Sequence, residues 1–517
     1  MKNGAGRDLP EQILSHFGYR PYQGPFAQRP QGRKQAPPVR SRMPGEDKLA
    51  GSLREALEKA GLRDGMTLSF HHHFRNGDQI LNRVMAEADA MGIKNLTLCP
   101  SSLSDIHEPL VDLIRRGVVR KIHTSGLRGP LANAVSRGLM AEPVIIRSHG
   151  GRARAIECGD LKIDIAFMGV PSSDRCGNAN GTGEKASCGS MGYAKVDVQY
   201  ADHVIVLTDS LVPYPNMPAS LSQIHVDQVV TVDTIGDPKG IASGATRYSR
   251  NPKELLIARR AAEAIIASGL FRDGLSFQTG SGGSSLAVTR YLKEAMKERG
   301  IKAAFALGGI SQPMVEMLEE GLVGTLFDVQ SFDLIAADSL ARNPRHVEID
   351  AGTYASPFNG GCIAAMLDVV VLSALEVDTA FNVNVMTGSD GVLRGASGGH
   401  SDTAASAKLT VVVAPLIRSR IPTVVDQVNT VITPGETVDL VVTDRGTAVN
   451  PKRQDLAQRL REAGIPVVPI EALRDMAYGI AGVPMPVPYE ERVVAIVEYR
   501  DGTALDVVRQ VKEGTAL

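Results

Sequence analysis

Short apolar runs alternate with amphipathic segments along most of the chain. Leu49, Leu53 and Leu57 recur at helical spacing and predict a helix over about 47–60. A strand is predicted at 66–70, a helix from 77 to about 92, and a further strand at 95–98. This alternation favours an α/β fold in which helices cover a parallel sheet.

The same order of elements begins again about 200 residues later. Asn251 is a good N-cap residue, and Pro252 suits the first position of a helix that ends near Gly269. Five pairs of short segments then match in the same order: 271–277 with 62–68, 300–302 with 92–94, 313–321 with 109–117, 377–381 with 163–167, and 425–428 with 226–229. An offset this long indicates an internal duplication of one open-sheet domain and excludes a solenoid.

These patterns divide the chain into four parts. An irregular, Pro-rich arm spans 1–45, the first domain 46–245, the second domain 246–483, and a C-terminal extension 484–517. In the extension we predict a strand at 493–499 and a short helix near 505–511. The extension is expected either to place its strand on a sheet edge or to form an oligomer contact. The arm carries eight basic residues against two acidic ones. It is expected to wrap its own domain or to be solvated; docking to an acidic partner is the alternative.

The overall composition excludes several classes of function. Hydrophobic residues make up 43% and charged residues 22%, which is typical of a soluble globular protein. Aromatic residues are only 4% and Trp is absent, so a stacking platform for single-stranded nucleic acid is disfavoured. With a net charge of −1, the chain as a whole does not attract nucleic acid or an anionic membrane.

The cysteines and the apolar runs indicate the compartment. Five cysteines are widely spaced without a CxxC pair, as expected for reduced thiols and not for a disulfide framework or a zinc site. No apolar run approaches the roughly 20 residues that cross a bilayer, and the first residues lack the apolar core of a signal peptide. We therefore expect a cytoplasmic protein without a bound metal.

Four polar or glycine-rich loops follow predicted strands. They span 71–78 and 171–192 in the first copy, and 279–285 and 387–402 in the second. Ligands of open α/β sheets bind at the carboxyl ends of strands, where such loops meet helix N-termini. Loops from the two copies are therefore predicted to face each other across one cleft.

The loop 387–402 precedes a strand predicted at 409–413. Gly395, Gly398 and Gly399 allow close approach of the backbone to a ligand, and His400 and Asp402 add a titratable pair. An ordinary glycine-rich turn is the alternative. The place of this loop in the repeat favours a site.

The loop 279–285 opens a helix. Free amides at Gly280, Ser281, Gly282 and Gly283, together with the helix dipole, suit an anion or an oxyanion. The loop lacks the spacing GxGxxG, so dinucleotide binding is weakly supported. A turn for close helix packing is the alternative.

Histidines and arginines complete the candidate site. Residues 71–73 are all His, but neighbours in a strand alternate faces, so a hydrogen-bonding role, assigned to His71, is favoured over a metal site. Arg75, Arg175 and Arg394 lie in candidate loops. Because guanidinium groups bind carboxylates through two hydrogen bonds, these residues predict a small polyanionic substrate.

Several motifs together resemble a known family. Asp174, Gly177 and Asn178 in the first copy, with residues 398–402 and 405–408 in the second, resemble the two halves of CoA-transferases. From about 47 to 512 the chain is similar to the citrate lyase alpha chains of that superfamily, most specifically at 326–333, 373–402 and 414–426.

The resemblance implies two NagB/RpiA/CoA-transferase-like domains and a citrate CoA-transferase activity. Acetyl-carrier and citrate would give citryl-carrier and acetate. The implied partners are a beta lyase chain and a gamma acyl carrier with a CoA-like phosphoribosyl-dephospho-CoA arm, and a homo-oligomer is expected. No cofactor would be bound permanently. On this basis His400, Asp333, Gly398 and Gly399 are assigned to catalysis, and Asp174, Arg175, Gly177 and Asn178 to thioester or substrate binding.

One position departs from the wider superfamily. Many CoA-transferases carry Ser-Glu-Asn-Gly, whose Glu forms a covalent thioester, whereas this chain has Ser331-Phe332-Asp333-Leu334. The resemblance therefore implies transfer through a bound mixed anhydride without an acyl-enzyme. Alternatives are a glutamyl route through Glu348 or Glu376, a malonate decarboxylase alpha-like transferase, and a non-catalytic binding module of the same fold.

Overall fold

The computed structural model describes residues 1–28, 31–242, 249–280 and 282–512. The elements up to residue 242 are α1 (Glu11–Phe17), β1 (Leu49–Ala50), α2 (Leu53–Lys59), β2 (Thr67–Phe70), α3 (Ile80–Ala90), β3 (Leu96–Pro100), α4 (Leu110–Arg115), β4 (Val119–Thr124), α5 (Gly129–Ser136), β5 (Val144–Arg147), α6 (His149–Cys158), β6 (Ile165–Val170), β7 (Ser172–Ser173), β8 (Ala179–Asn180), α7 (Gly192–Tyr200), β9 (His203–Thr208), β10 (Gln228–Thr231) and α8 (Pro238–Ile241).

The elements from residue 249 onward are α9 (Pro252–Ala267), β11 (Ser276–Thr279), α10 (Gly283–Arg299), β12 (Ala303–Ile310), α11 (Gln312–Glu319), β13 (Val323–Ser331), α12 (Leu334–Arg342), β14 (His346–Glu348), α13 (Ala351–Ala355), β15 (Val369–Ser373), β16 (Glu376–Asp378), β17 (Val383–Asn384), α14 (His400–Ala404), β18 (Leu409–Val413), β19 (Ile417–Arg418), β20 (Ile421–Pro422), β21 (Val424–Val425), β22 (Leu440–Val442), β23 (Thr447–Val449), α15 (Gln454–Glu462), α16 (Ile470–Ala481), β24 (Tyr489–Glu498) and β25 (Ala504–Val511). Short 3-10 segments lie at His72–Gly77, Asp105–His107, Gln223–His225, Ile363–Met366 and Gly435–Thr437.

Two large sheets carry the same topology. One contains the parallel strands β10-β9-β6-β2-β3-β4-β5, and the other contains β22-β18-β15-β11-β12-β13-β14 in the matching order. Numbered along the chain, both sets run 7-6-5-1-2-3-4. The predicted duplication and the α/β class are thereby confirmed. We call the first sheet with its helices the first lobe, and the second sheet with its helices the second lobe.

The strands are buried runs of apolar residues, as parallel sheets covered on both faces require. The predicted strand 409–413 is β18, with all five residues buried. The predicted helix from Pro252 is α9, and the Asn251 side chain accepts a hydrogen bond from Lys253 N at 2.9 Å.

Two predicted helices begin later than expected. The helix predicted over 47–60 begins at Leu53, because Ser52 caps it and Leu49 pairs instead with Val229 in the first sheet. The helix predicted from Gly77 begins at Ile80 and follows a 3-10 segment. In the first case, the helical spacing of the leucines includes Leu49, which lies in a short strand. The pattern therefore predicted the start of the helix too early.

The C-terminal extension is a hairpin of the first lobe. β24 pairs in parallel with β5, and β25 pairs antiparallel with β24. The helix predicted near 505–511 is therefore wrong. Val507, Val508 and Val511 are buried in this strand, where β-branched side chains are favoured by the pleated surface.

The N-terminal arm packs on the same chain. Leu9 and Leu14 share a small core with Ile145 and Val493, and α1 interrupts the arm that the sequence predicted to be irregular. Three of its basic residues pair with acids of the chain itself: Arg7 with Asp506, Lys34 with Glu157, and Arg40 with Asp227. The predicted domain boundary at 245/246 lies outside the described residues. No helix within the described ranges is long and apolar enough to span a membrane.

Candidate active site

A cleft of about 960 Å³ lies between the carboxyl ends of the two sheets. Three of the four predicted loops contribute to it, and the fourth reaches it only at Tyr193, which follows its end. The residues that line the cleft include His72, Arg75, Asn76, Ser102, Asp105, Ser125, Arg128, His149, Tyr193, Gln278, Gly280, Gly282, Gly309, Gln330, Phe332, Tyr354, Ser373, Ala396, Ser397, Gly398, Gly399, His400 and Arg418.

The glycine-rich loop 387–402 joins the two lobes along their backbones. Leu127 N donates to Gly395 O at 3.2 Å, and His149 N donates to Gly398 O at 2.9 Å. A Cβ added to Gly126 would lie 2.4 Å from Ala396, so no side chain fits at this crossing. Gly126, Gly395 and Gly398 therefore allow the backbones of the two lobes to meet. Gly398 and Gly399 also line the cleft, where the loop was predicted to lie.

His400 lines the cleft, but both of its ring nitrogens are engaged. Nε2 lies 3.0 Å from the carbonyl oxygen of Ser373, and Nδ1 lies 2.6 Å from Thr433 Oγ1. A carbonyl oxygen only accepts, so Nε2 carries the hydrogen and Nδ1 accepts from Thr433. Burial lowers the pKa of His400 to about 4. The neutral ring holds the Ser373 segment in place.

Asp402 is fully buried and fastens the lobes instead of facing the cleft. Its carboxylate accepts from Ser148 Oγ and from Gly150 N, both at 2.8 Å. Both donors lie at the N-terminus of α6 in the first lobe, where a carboxylate also interacts favourably with the helix dipole. Burial raises the pKa of Asp402, and Arg500 opposes that shift.

Of the predicted arginines, Arg75 alone lines the cleft. It donates to Phe332 O at 2.8 Å and to Ser331 O at 2.6 Å in the second lobe. Its backbone has φ 51° and ψ −131°, a strained conformation for a residue with a side chain. Arg175 pairs with Asp47, and Arg394 pairs with Asp390, and neither lines the cleft.

The Asp174 turn lies outside the cleft lining. Asp174 accepts from Cys176 N at 2.8 Å and from the Asn178 side chain at 2.8 Å, and Gly177 has φ 94°. These contacts close a tight turn and leave the carboxylate engaged within it. The structure therefore does not bring Asp174, Arg175, Gly177 and Asn178 together with the other predicted site residues.

The loop 279–285 meets the cleft through two glycines. Gly280 N donates to Val371 O at 2.7 Å, so that amide is engaged within the second sheet. Gly282 caps α10, and Gly283 is its first residue. Ser281 lies outside the described residues.

Phe332 and Asp333 stand at the end of β13. Phe332 lines the cleft, packs on Gly309, and lies under the Arg75 guanidinium at 5.1 Å from the ring centroid. The Asp333 carboxylate accepts from Ala336 N and from Gln312 N, both at 2.8 Å. Asp333 thus caps α12 and is not part of the cleft lining.

Of the three consecutive histidines 71–73, the one that lines the cleft is His72, not His71. His71 is buried, with Nε2 3.5 Å from Asp197. His72 lies 2.6 Å from Ser101 Oγ and 3.2 Å from Gln330 Oε1. Among the residues that the structure describes, no group of His, Cys, Asp and Glu could hold a metal ion.

Several lining residues were missed by the sequence analysis. Arg128 follows β4, His149 follows β5, and Gln330 is the penultimate residue of β13. Extending the carboxyl-end rule to every strand would have found all three. Glycine- and serine-rich loops stand out in the sequence, whereas Arg128 and His149 lie in or next to short connections and Gln330 lies within a strand.

Comparison with known proteins decides the family. The family model described as "Citrate lyase, alpha subunit" matches residues 46–511. The chain belongs to the citrate lyase alpha subunit family. It is 58% identical to the citrate lyase alpha chain of Escherichia coli K12 over 488 residues, 94% of this chain and 95% of that one. It is 54% identical to the Klebsiella pneumoniae alpha chain over 504 residues, 98% of each.

Solved structures agree with this family assignment. A Streptococcus mutans structure, described as a citrate lyase alpha subunit in complex with citrate, is 55% identical with a TM-score of 0.96, covering 99% of this chain and 100% of that one. The Acinetobacter baumannii malonate decarboxylase alpha subunit is 18% identical with a TM-score of 0.60, covering 84% and 92%. The latter likeness shows the fold alone. The predicted family and its CoA-transferase type of enzyme are confirmed.

Proposed function

We propose that the chain transfers an acyl-carrier thioester from acetate to citrate in the cleft between its lobes. Acetyl-carrier and citrate would become citryl-carrier and acetate. A beta lyase chain and a gamma acyl carrier would be its partners in the cytoplasm, and the CoA-like arm of the carrier would deliver the thioester. We also propose that the chain assembles into a homo-oligomer. The family assignment and the citrate in the Streptococcus mutans structure support the choice of substrate.

The charges that line the cleft suit a polycarboxylate. In the part of the chain that the structure describes, the lining contains three arginines, Arg75, Arg128 and Arg418, and only one carboxylate, that of Asp105. Arg75 and Arg418 already donate to backbone carbonyl groups. Within the described residues, Arg128 makes one side-chain hydrogen bond, to Ser102 Oγ at 3.4 Å. Its guanidinium is therefore the most available group for a substrate carboxylate, and Arg75 would add a second positive charge.

The observation that carries the mechanism is the absence of a glutamate from the cleft lining in the described chain. Phe332, which replaces the nucleophilic glutamate of the Ser-Glu-Asn-Gly motif of many CoA-transferases, lines the cleft instead. Glu348 accepts from Met191 N at 2.6 Å and pairs with Lys195, while Glu376 accepts from Asn384 at 2.8 Å. Neither glutamate lines the cleft, which argues against the glutamyl route.

The direct route needs no protein carboxylate. A citrate carboxylate oxygen bonds to the acetyl carbonyl carbon, and the carrier thiolate leaves. The thiolate then attacks the citryl carbonyl of the bound mixed anhydride, and acetate leaves. Neither step requires a proton transfer. The protein therefore contributes by positioning the reacting groups and by stabilising negative charge. Gly282 and Gly399 in the cleft lining are proposed to help position the reacting groups.

Trapping tests this mechanism. The protein is incubated with acetyl-carrier in the absence of citrate and then with hydroxylamine, and peptides are examined by mass spectrometry. We expect no glutamyl hydroxamate, and acetate release only after citrate is added. A hydroxamate on any glutamate, or inactivation by borohydride after incubation with acetyl-carrier, would contradict the direct route.

A further inference from the structure

His149 is a cleft residue without a role in the account above. It is the first residue of α6, which is capped by Ser148. Its backbone N–H donates a hydrogen bond to the carbonyl oxygen of Gly398 in the second lobe. Its ring belongs to a cluster of three, 4.2 Å from the Tyr193 ring centroid and 5.5 Å from that of His72, and those two centroids lie 4.9 Å apart. The ring is therefore fixed at the junction of the lobes.

Its two ring nitrogens have different surroundings. Nδ1 is buried and has no hydrogen-bond partner in the described part of the chain. Nε2 is on the cleft side, 3.7 Å from the point where a Cβ on Gly398 would stand. A buried N–H without an acceptor is rarer than an unpaired acceptor, so the hydrogen belongs on Nε2. This tautomer directs an N–H donor into the cleft.

The other cleft histidines have no such free nitrogen. His72 contacts Ser101 and Gln330, and His400 contacts Thr433 and Ser373. Of the three histidines that line the cleft in the described ranges, His149 is the one whose cleft-side nitrogen makes no hydrogen bond within the protein. That nitrogen is therefore available to a substrate.

The ring is also uncharged over the physiological pH range. Burial lowers the pKa of His149 to about 3, and the charge of Arg152 acts in the same direction. A neutral imidazole cannot supply a second proton, but its N–H can stabilise negative charge. This suits a reaction in which charge develops on oxygen and no proton moves.

We propose that His149 Nε2–H donates a hydrogen bond to the thioester carbonyl oxygen as it becomes an oxyanion. This inference rests on the proposed transfer reaction. When the citrate carboxylate bonds to the carbonyl carbon, the π electrons move to the carbonyl oxygen, and His149 stabilises that charge. Expulsion of the thiolate restores the carbonyl, and the imidazole remains neutral throughout.

Two variants separate the donor from the ring. His149→Phe keeps a ring that packs against Tyr193 and removes the donor. His149→Gln keeps a neutral N–H donor near the position of Nε2. We expect His149→Phe to lower kcat about 100-fold, as for the loss of one oxyanion donor, with little change in KM for citrate. His149→Gln should stay within about 10-fold of the wild type.

The assay uses the full chain with acetyl-carrier, or with acetyl-CoA as a substitute thioester. His225→Phe, outside the cleft lining, is the matched control and should leave kcat unchanged. The ratio of wild-type to His149→Phe activity should be constant from pH 6 to pH 8. An equal loss in the Phe and Gln variants would overturn the proposal, as would a ratio that follows a titration in this range.

A second measurement does not depend on turnover. In protein labelled with ¹⁵N-histidine, the His149 signals are assigned by their loss in His149→Phe. At pH 7 they should report a neutral ring protonated on Nε2. A charged ring or an Nδ1–H tautomer would overturn the proposal. If the wild type releases no acetate in response to citrate, the proposed function fails, and the spectrum still decides whether His149 presents a donor.

Discussion

The carboxylate of Asp402 in the second lobe accepts a 2.8 Å hydrogen bond from Ser148 Oγ in the first lobe. The same carboxylate accepts from Gly150 N, and Arg500 of the C-terminal hairpin lies 3.8 Å from it. One buried side chain thus ties the second lobe to the helix that carries His149. The geometry of the cleft depends on this junction between lobes.

Asp402→Ala should destabilise the protein because two donors lose their partner in a buried place. We expect a loss of about 1–3 kcal/mol in the free energy of unfolding. The expected fall in kcat is larger than the change in KM, because the cleft residues lose their alignment. Urea unfolding and steady-state kinetics measure both. Unchanged stability in Asp402→Ala would show that the junction does not hold the lobes.

Arg128→Ala should weaken citrate binding because its guanidinium is the most available cation of the cleft. A hydrogen bond to a charged group contributes about 1.5–3 kcal/mol, so KM for citrate should rise about 10- to 100-fold. Arg175→Ala and Arg394→Ala are matched controls, since these arginines pair with Asp47 and Asp390 outside the cleft lining. A larger effect of either control would contradict the assignment.

Gly126→Ala should disturb the contact between lobes. The added Cβ would lie 2.4 Å from Ala396, whereas a Cβ at Gly360 meets no atom within 4 Å. We expect Gly126→Ala to lower the melting temperature by several degrees, and Gly360→Ala to leave it near that of the wild type. Differential scanning calorimetry compares the two, and equal melting temperatures would contradict the close crossing.

The duplication and most strands could be predicted from local patterns. β18 was predicted with its bounds, because four of its five residues are β-branched and the segment follows a polar loop. The cleft was predicted in outline, since the carboxyl-end rule follows from topology. Gly398, Gly399 and His400 were predicted to lie at such a site, and all three line the cleft.

Other features depend on tertiary contacts that the sequence does not display. Arg175 and Arg394 resembled Arg75 in their loops, but each pairs with an acid outside the cleft lining. Folding brings Asp47 to Arg175 across more than 100 residues, whereas Asp390 is only four residues from Arg394. The β24–β25 hairpin extends a sheet formed more than 300 residues earlier in the chain. His149 is the first residue of α6, directly after a short connection, and its free nitrogen becomes evident only from the contacts of its ring.

The depressed pKa of His149 predicts a pH dependence of stability. The unfolded residue titrates near 6.5 and the folded one near 3, so its stabilising contribution is complete above pH 6.5 and is lost as pH falls toward 3. His149→Phe lacks this contribution. The stability of the wild type relative to the variant should therefore fall by about 1.4 kcal/mol per pH unit between pH 6 and pH 4.

Urea unfolding of the two proteins at pH 7, 6, 5 and 4 measures that difference. The comparison cancels the titration of other buried groups, such as Asp402, whose raised pKa acts in the opposite direction. A constant difference over this range would mean that His149 titrates normally in the folded protein.

The central claim is that citrate itself attacks the thioester, without a protein carboxylate between them. A single turnover with citrate labelled with ¹⁸O in its carboxylates tests it most directly, with acetate analysed by mass spectrometry. The account predicts one ¹⁸O atom in the acetate of the first turnover. Unlabelled acetate, with ¹⁸O found in a glutamate or aspartate side chain of the protein, would contradict it.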